Sequence, residues 1–419
     1  MLALVLCLGA LAITLLPASD AEVRLTRAVL PGGTFIIPMD DKQTDRIAVY
    51  GLVHELLVAG VPVLRVITPP VPSYKTLAFE NGVDFQGGPF LVWGGYREAF
   101  EAAVAHHPSV AVDQLRNTQI QRNVLIIVEP TKILLVKGWN DFTGSELDFG
   151  ETEVALDAMG IPYDHVNRRA VEATPNLVLN YDLVVLDCPA WYPADIPTAV
   201  VEHLRIFLEG GGTIVLTDRA LVHAAQLIPG RLGLGPTRTW TGNATIRDRN
   251  GALSQSYGPQ YVRVHTADLT GRIITTVAPG AKVLLDTSAY PVGPRGEPGY
   301  RIFAAVFEAG NGTVIGFAYH PAEQPGDSFN YTSALYGNVF VHSTSLLLPS
   351  IPNPPPVFGA GSALPPPPNP PPPPPPPSLA VPASSSVGSL FAGFAVVGMA
   401  EMLRGRIRLP RREKVAVRV

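Results

Sequence analysis

The chain has 419 residues, 47 % of them hydrophobic and 16 % charged, which suits globular domains with a sizeable core and excludes a wholly disordered chain. The formal net charge is -4, and seven of the 31 Lys/Arg sit in Glu401–Val419, so the body before that tail is acidic and gives no electrostatic reason to expect nucleic acid as a partner. Cysteine occurs only at Cys7 and Cys188, and the nine histidines show no HxH or HExxH spacing, so a disulfide framework, a metal site and a bound cofactor are not expected.

The chain opens with MLALVLCLGALAITLLPASDA, an uncharged apolar run from Leu2 to Leu16 followed by small residues at Ser19 and Ala21. This predicts a signal peptide over 1–21, hence export; an N-region without Lys or Arg leaves an uncleaved anchor as the alternative.

From Glu22 to about Ser350, β-branched runs alternate with segments of helical periodicity, a pattern that predicts parallel sheet with crossover helices. TFIIPM (Thr34–Met39) is a strand, and AVYGLVHELLVAG is a helix with Val49, Leu52, Val53, Leu56 and Leu57 on one face and Gly60 as its stop. VPVLRVI is the next strand. His106-His107 reads as a pair at a helix C-terminus. The same order recurs as KILLVKGW, GETEVALDAMG and IPYDHV, with Gly160-Ile161-Pro162 matching Gly60-Val61-Pro62. Either a duplication or the common grammar of α/β proteins explains it, and both predict two α/β units, 22–129 and 130–350.

Between that second strand and its helix lies Trp139-Asn-Asp-Phe-Thr-Gly-Ser-Glu-Leu-Asp-Phe149, at the carboxyl edge where open α/β sheets place ligands. Trp139, Asp141, Glu146 and Asp148 would suit a sugar or peptide; a solvated acidic first turn is the plainer reading. NYDLVVLDCPAW is a strand ending near Cys188. Thr198–Glu209 is an amphipathic helix with Val200, Val201, Leu204, Phe207 and Leu208 inward, stopped by Gly210-Gly211-Gly212. GTIVLTDRALVHAA passes from a strand through a sharp turn at Thr217-Asp218 into a helix. A hairpin turning at Gly310-Asn311-Gly312 ends in Ala318-Tyr319-His320-Pro321, and a closing helix follows around Ser333–Leu348.

Beyond Ser350 the composition changes to a proline-rich linker, 351–386, whose PPPPNPPPPPPPP (Pro365–Pro377) is a polyproline II spacer of roughly 40 Å. Val387–Leu403 is then predicted to be a transmembrane helix. Its uncharged stretch to Ala400 is short against the usual ~20 residues, but the basic tail over 404–419 would hold that end in the cytoplasm. The order of motif, apolar helix and Arg cluster resembles the C-terminal sorting signals of exported bacterial proteins, with Val381-Pro-Ala-Ser where those signals carry Pro-Glu-Pro.

Strand, helix ending in three glycines, strand, turn, helix and a late hairpin ending in His-Pro resemble the class I glutamine amidotransferase-like superfamily over Thr131 to about Leu348. The resemblance implies a parallel-sheet, flavodoxin-like α/β fold and a Cys-His-Glu site, with the nucleophile on the elbow after the Gly-rich stop. Here Leu216-Thr217-Asp218-Arg219-Ala220 occupies the elbow without a Cys, and Ala322 separates His320-Pro321 from Glu323. Each candidate has a plain reading: His320 as a hydrogen-bonded strand-end residue, Cys188 as an inert buried thiol, Asp218 as a helix N-cap. The expectation is an exported, membrane-tethered binding or scaffold protein on a catalytically silent amidotransferase-like domain, with a glycan, peptide or envelope protein as partner. The alternative is an envelope hydrolase acting on an amide or ester with His320 and Asp218, or with Cys188, and with Glu323 as a further carboxylate. Thr217 completes the candidate ligand set.

Overall fold

A computed structural model of the chain describes residues 26–67, 77–78, 84–85, 87–116, 120–141, 143–147, 151–188, 190–191, 194–237, 240–247, 253, 261–266, 272–287, 301–320, 324 and 328–346. The expected signal peptide, proline-rich linker, transmembrane helix and basic tail all lie outside these residues. Among the described residues no helix is long and apolar enough to cross a membrane.

The first half forms a six-stranded sheet from β1 (Thr26–Leu30), β2 (Phe35–Ile37), β3 (Val63–Val66), β6 (Phe90–Val92), β7 (Asp113–Gln114) and β8 (Ile120–Ile127), while β4 (Leu77–Ala78) and β5 (Asp84–Phe85) pair with each other. The order β1-β8-β3-β6-β2-β7 is antiparallel at every pairing. This corrects the expected parallel unit. Helix α1 (Ala48–Val58) does cross from β2 to β3, but β6 runs back between them, so the two strands the crossover joins never pair.

The second half is a mixed sheet. Strands β9 (Ile133–Asn140), β10 (Ser145–Leu147), β11 (Asp164–Asn167), β12 (Leu183–Leu186) and β13 (Thr213–Thr217) lead, after a stretch of antiparallel strands, to β19 (Ile302–Ala309) and β20 (Gly312–Phe317). A parallel run β11-β9-β12-β13-β20 forms its centre, as the repeated strand-helix-strand pattern predicts for β9, α3 (Glu151–Met159) and β11. Beyond β20 the sheet turns antiparallel through β19. It continues through β18 (Lys282–Asp286), β15 (Trp240–Ile246) and β16 (Tyr261–Thr266), with β14 (Leu232–Thr237) and β17 (Arg272–Val277) attached beside β19. No element is expected from the sequence over β14–β18: glycines and threonines interrupt β14 and β15, and the apolar runs of β16, β17 and β18 are three residues or fewer.

Residues alternate across the central strands, as the two-residue period of a strand requires. Leu183 and Val185 enter the core cluster that also holds Val215, Ile315 and Phe317, while Val184 and Leu186 enter the one on the other face with Ile214, Leu216 and Val314. Helices α4 (Arg168–Ala173), α5 (Thr198–Glu209) and α6 (Ala224–Leu227) belong to the second face, and α5 buries Val200, Val201, Leu204, Phe207 and Leu208 as its periodicity predicts. On the first face lie α1, α2 (Arg97–His106), α3 and α7 (Ser328–Leu346), and the same cluster takes in Phe35, Val63, Phe90 and Ile127 from the antiparallel sheet. The change of sheet falls between Ile127 and Ile133, yet both sheets share this core.

Helix α1 is the hinge pin of that shared layer. Besides its five periodic residues it buries Tyr50, Gly51 and His54. The Tyr50 hydroxyl donates to Ala334 O at 3.1 Å and contacts Asn338 Oδ1 at 3.0 Å on α7. Gly51 lets α1 approach the end of α3 so closely that a Cβ there would lie 2.0 Å from Met159 O, a backbone atom that cannot swing away. At Gly60 and Gly160 the chain leaves α1 and α3 with φ of +72° and +70°, the left-handed exit that glycine adopts without a steric penalty.

Gly51→Ala is therefore expected to lower stability by on the order of 3 kcal/mol, although alanine is the better helix former. Denaturant unfolding of the full chain and the variant measures it. A variant as stable as the parent would mean that α1 and α3 do not approach as described.

Candidate functional site

Three neighbouring parallel strands, β12, β13 and β20, end side by side, and each delivers one reactive side chain just past its last residue. Cys188 follows β12, Asp218 follows β13 and His320 follows β20. Cys188 Sγ donates to Asp218 Oδ2 at 3.3 Å, and His320 Nε2 lies 3.0 Å from the same oxygen. All three are closed to solvent, at 6 %, 1 % and 4 % exposure. The separation of Cys188 from the elbow by a loop of sequence is thus undone by strand adjacency.

Asp218 does not act as the expected N-cap. Thr217 is the residue preceding the 3-10 turn Asp218–His223, with no side-chain cap bond, and Asp218 is the first residue inside it. Its φ is +43°, the one positive value among the described non-glycine residues. Aspartate tolerates this region better than most L-residues, and the conformation still costs about 1–3 kcal/mol. The turn carries the carboxylate to Cys188 and His320, while its Oδ1 is buried without a hydrogen-bond partner among the described residues.

A second layer fixes the strand ends. Asp187, buried beside Cys188, accepts from Thr152 Oγ1 of α3 at 2.7 Å and from Thr217 Oγ1 at 2.9 Å, and Cys188 N donates to Thr217 Oγ1 at 3.0 Å. Thr217 is thus a buried post between the two strands. Burial raises the Asp187 pKa, opposed by the bonds from Thr152 and Thr217. Burial likewise raises the Cys188 thiol, opposed mainly by its hydrogen bond with His320, so the sulfur is held as a donor rather than an exposed thiolate. Behind His320, Gln324 Nε2 donates to His320 O at 2.7 Å and to His265 O at 2.8 Å, while its Oε1 accepts from His265 N at 2.9 Å. Glu323 lies outside the described residues. Phe317 stacks on Tyr336 of α7 at 4.0 Å between ring centroids, so α7 braces the strand that delivers His320.

The acidic stretch after β9 folds as the hairpin β9–β10, with Trp139 half-buried opposite Glu146. Asp141 is bound by Arg168 and by Arg169, the latter at 2.6 Å, and these bonds, that from Arg169 foremost, lower its pKa. Lys137, on β9, pairs with Glu153 and lies 3.6 Å from Glu146. The carboxylates expected to meet a sugar are already matched by cations that the sequence reading did not connect to them. Asp148 lies outside the described residues. Missed altogether were Thr152, Asp187 and Gln324; the only signal was an aspartate at a strand end directly before the cysteine.

No protein-family profile and no curated protein matches the chain. Solved structures similar to part of it include a ThuA-like protein from Bacteroides uniformis (12 % identity, 50 % of this chain and 90 % of that one, TM-score 0.36). Others are a GMP synthase protein from Thermoplasma acidophilum (9 %, 52 % and 96 %, 0.35) and PurLQS from Thermotoga maritima (14 %, 50 % and 97 %, 0.36). Likeness at this level assigns no ligand and no chemistry to this chain.

The turn that carries Asp218 ends at His223, 1 % exposed and edge-on to Trp191 at 6.3 Å. Burial lowers its pKa from 6.5 to about 4, against the raising influence of Gln226 and Asp195. A depressed folded pKa means that the unfolded chain binds the proton first. Stability is fully present above pH 6.5 and is lost as the pH falls toward about 4, by on the order of 3 kcal/mol. Urea unfolding at pH 7.5 and pH 4 should show a smaller acid loss for His223→Leu than for the parent; equal losses would refute the assignment.

Proposed function

We propose that the chain is an exported, membrane-tethered binding protein whose carboxyl-edge site is silent as a glutaminase. The observation that carries this reading is that Asp218, not a cysteine, stands at the elbow, with its carboxylate engaged by both Cys188 and His320 and all three closed to solvent. Cysteine amide hydrolysis needs a thiolate facing the substrate, a base to take its proton and donors for the oxyanion. Here the sulfur and the imidazole address the same carboxylate oxygen. The amidotransferase-like ancestry, the export signal over 1–21 and the anchor over 387–403 belong to this proposal and are supported by the sequence pattern.

One observation favours a second reading. Strained backbone in a non-glycine residue concentrates at sites where function maintains it, and Asp218 is such a residue with a histidine 3.0 Å away. An envelope hydrolase using Asp218 and His320 on an amide or ester fits that feature.

The full chain, expressed with both ends intact, is expected in the membrane fraction and, once purified from it, releases no ammonia from glutamine above the His320→Ala background. Recovery of the chain as a soluble protein with both ends intact would refute the tether. Ammonia release that depends on His320 would refute the silent site, and hydrolysis of amides or esters other than glutamine that requires both Asp218 and His320 would install the second reading.

A further inference from the structure

We infer that Cys188, Asp218 and His320 form a binding site for one divalent transition-metal ion, zinc being the ion whose ligand preferences the set meets. The inference stands apart from the silent-glutaminase reading, because it concerns what the three side chains can hold and not what they can hydrolyse. It departs from the sequence, where one cysteine, one aspartate and one histidine separated by 30 residues and more give no metal spacing at all.

Among the described residues this is the one cluster in which a sulfur, a carboxylate oxygen and an imidazole nitrogen all lie within 4.8 Å of one another. A tetrahedral zinc ion with bonds of about 2.0–2.3 Å brings its ligand atoms to separations of roughly 3.3–3.8 Å. The observed 3.3 Å from sulfur to Asp218 Oδ2 and 3.0 Å from His320 Nε2 to the same oxygen are slightly contracted from that shell. The sulfur and the imidazole nitrogen lie within 4.8 Å of each other, so all three ligand atoms can meet one ion that displaces the thiol proton.

Three further features fit an ion. A thiolate and a carboxylate balance a divalent charge, so the filled site is neutral, which a burial of 1–6 % exposure demands. The buried Asp218 Oδ1, without a hydrogen-bond partner among the described residues, is a second carboxylate oxygen available to the ion or to a water in the fourth position. The strand ends that carry the ligands are also held from behind: the Cys188 backbone by Thr217 and the His320 backbone by Gln324. Three protein ligands with one open place is the arrangement zinc adopts when it exchanges a ligand, whereas structural zinc sites take four.

The test uses the full chain, stripped with a chelator under reducing conditions and reloaded with Zn2+ or Co2+. Expected are one equivalent of zinc retained after desalting, a rise in Tm on loading, and a cobalt spectrum with a thiolate charge-transfer band and the intense d–d bands of a tetrahedral site. Cys188→Ser should abolish the charge-transfer band, and His320→Ala should weaken zinc binding by at least about a hundredfold, while His203→Ala, at a half-buried position of α5 outside the cluster, should change neither. Because the Tm rise and the cobalt spectrum are read on the parent chain, the test survives a variant that fails to fold. Substoichiometric retention, or cobalt bound without a thiolate band, or zinc binding indifferent to both Cys188→Ser and His320→Ala, would each overturn the inference.

Discussion

The site depends on one backbone turn. At Asp218 the chain leaves β13 with φ of +43°, and that rotation alone brings the carboxylate back across the strand ends to Cys188 on one side and His320 on the other. The strain, about 1–3 kcal/mol, is of the size that two buried hydrogen bonds to a carboxylate can offset. The parallel run supplies the rest: neighbouring strands lie roughly 4.8 Å apart, so residues just past the ends of β12, β13 and β20 meet without any long side chain having to reach.

The remainder of the molecule holds those strand ends in register. Asp187, tied to Thr152 and Thr217, links β12 to β13 and to the start of α3, and α7 braces β20 through Tyr336. Helix α1 couples the antiparallel sheet to this assembly, since Gly51 meets α3 and Tyr50 meets α7. The first half of the chain therefore acts on the site as a support for the helices beneath it rather than as a contributor of chemistry among the described residues. The hairpin after β9 is likewise closed upon itself by Lys137, Arg168 and Arg169.

Local pattern carried the helices and the central strands. The period of Thr198–Glu209 names the five residues that α5 buries, and the repeated strand-helix-Gly-strand order marks β9, α3 and β11. Pairing partners were less legible, because apolar runs such as those of β2 and β3 look alike whether they lie beside each other or, as here, on either side of an antiparallel β6. The candidate residues Cys188, Asp218 and His320 were visible as strand-end side chains. Their convergence was not, since nothing in a sequence states the φ of a single aspartate. The ion pairs of the acidic stretch were illegible for a related reason: Asp141 meets Arg168 and Arg169 only in the folded chain.

The claim that Asp218 is the centre on which the cluster converges is tested most directly by a double-mutant cycle between Asp218→Gly and His320→Ala, read by denaturant unfolding of the metal-free full chain. Glycine is the right replacement, because the strain relieved at φ +43° is the same with and without His320 and cancels in the cycle. The 3.0 Å contact in a site closed to water predicts a coupling of about 1–3 kcal/mol. Additivity within about 0.5 kcal/mol would contradict it, and the thiol, carboxylate and imidazole would then be neighbours without being a site.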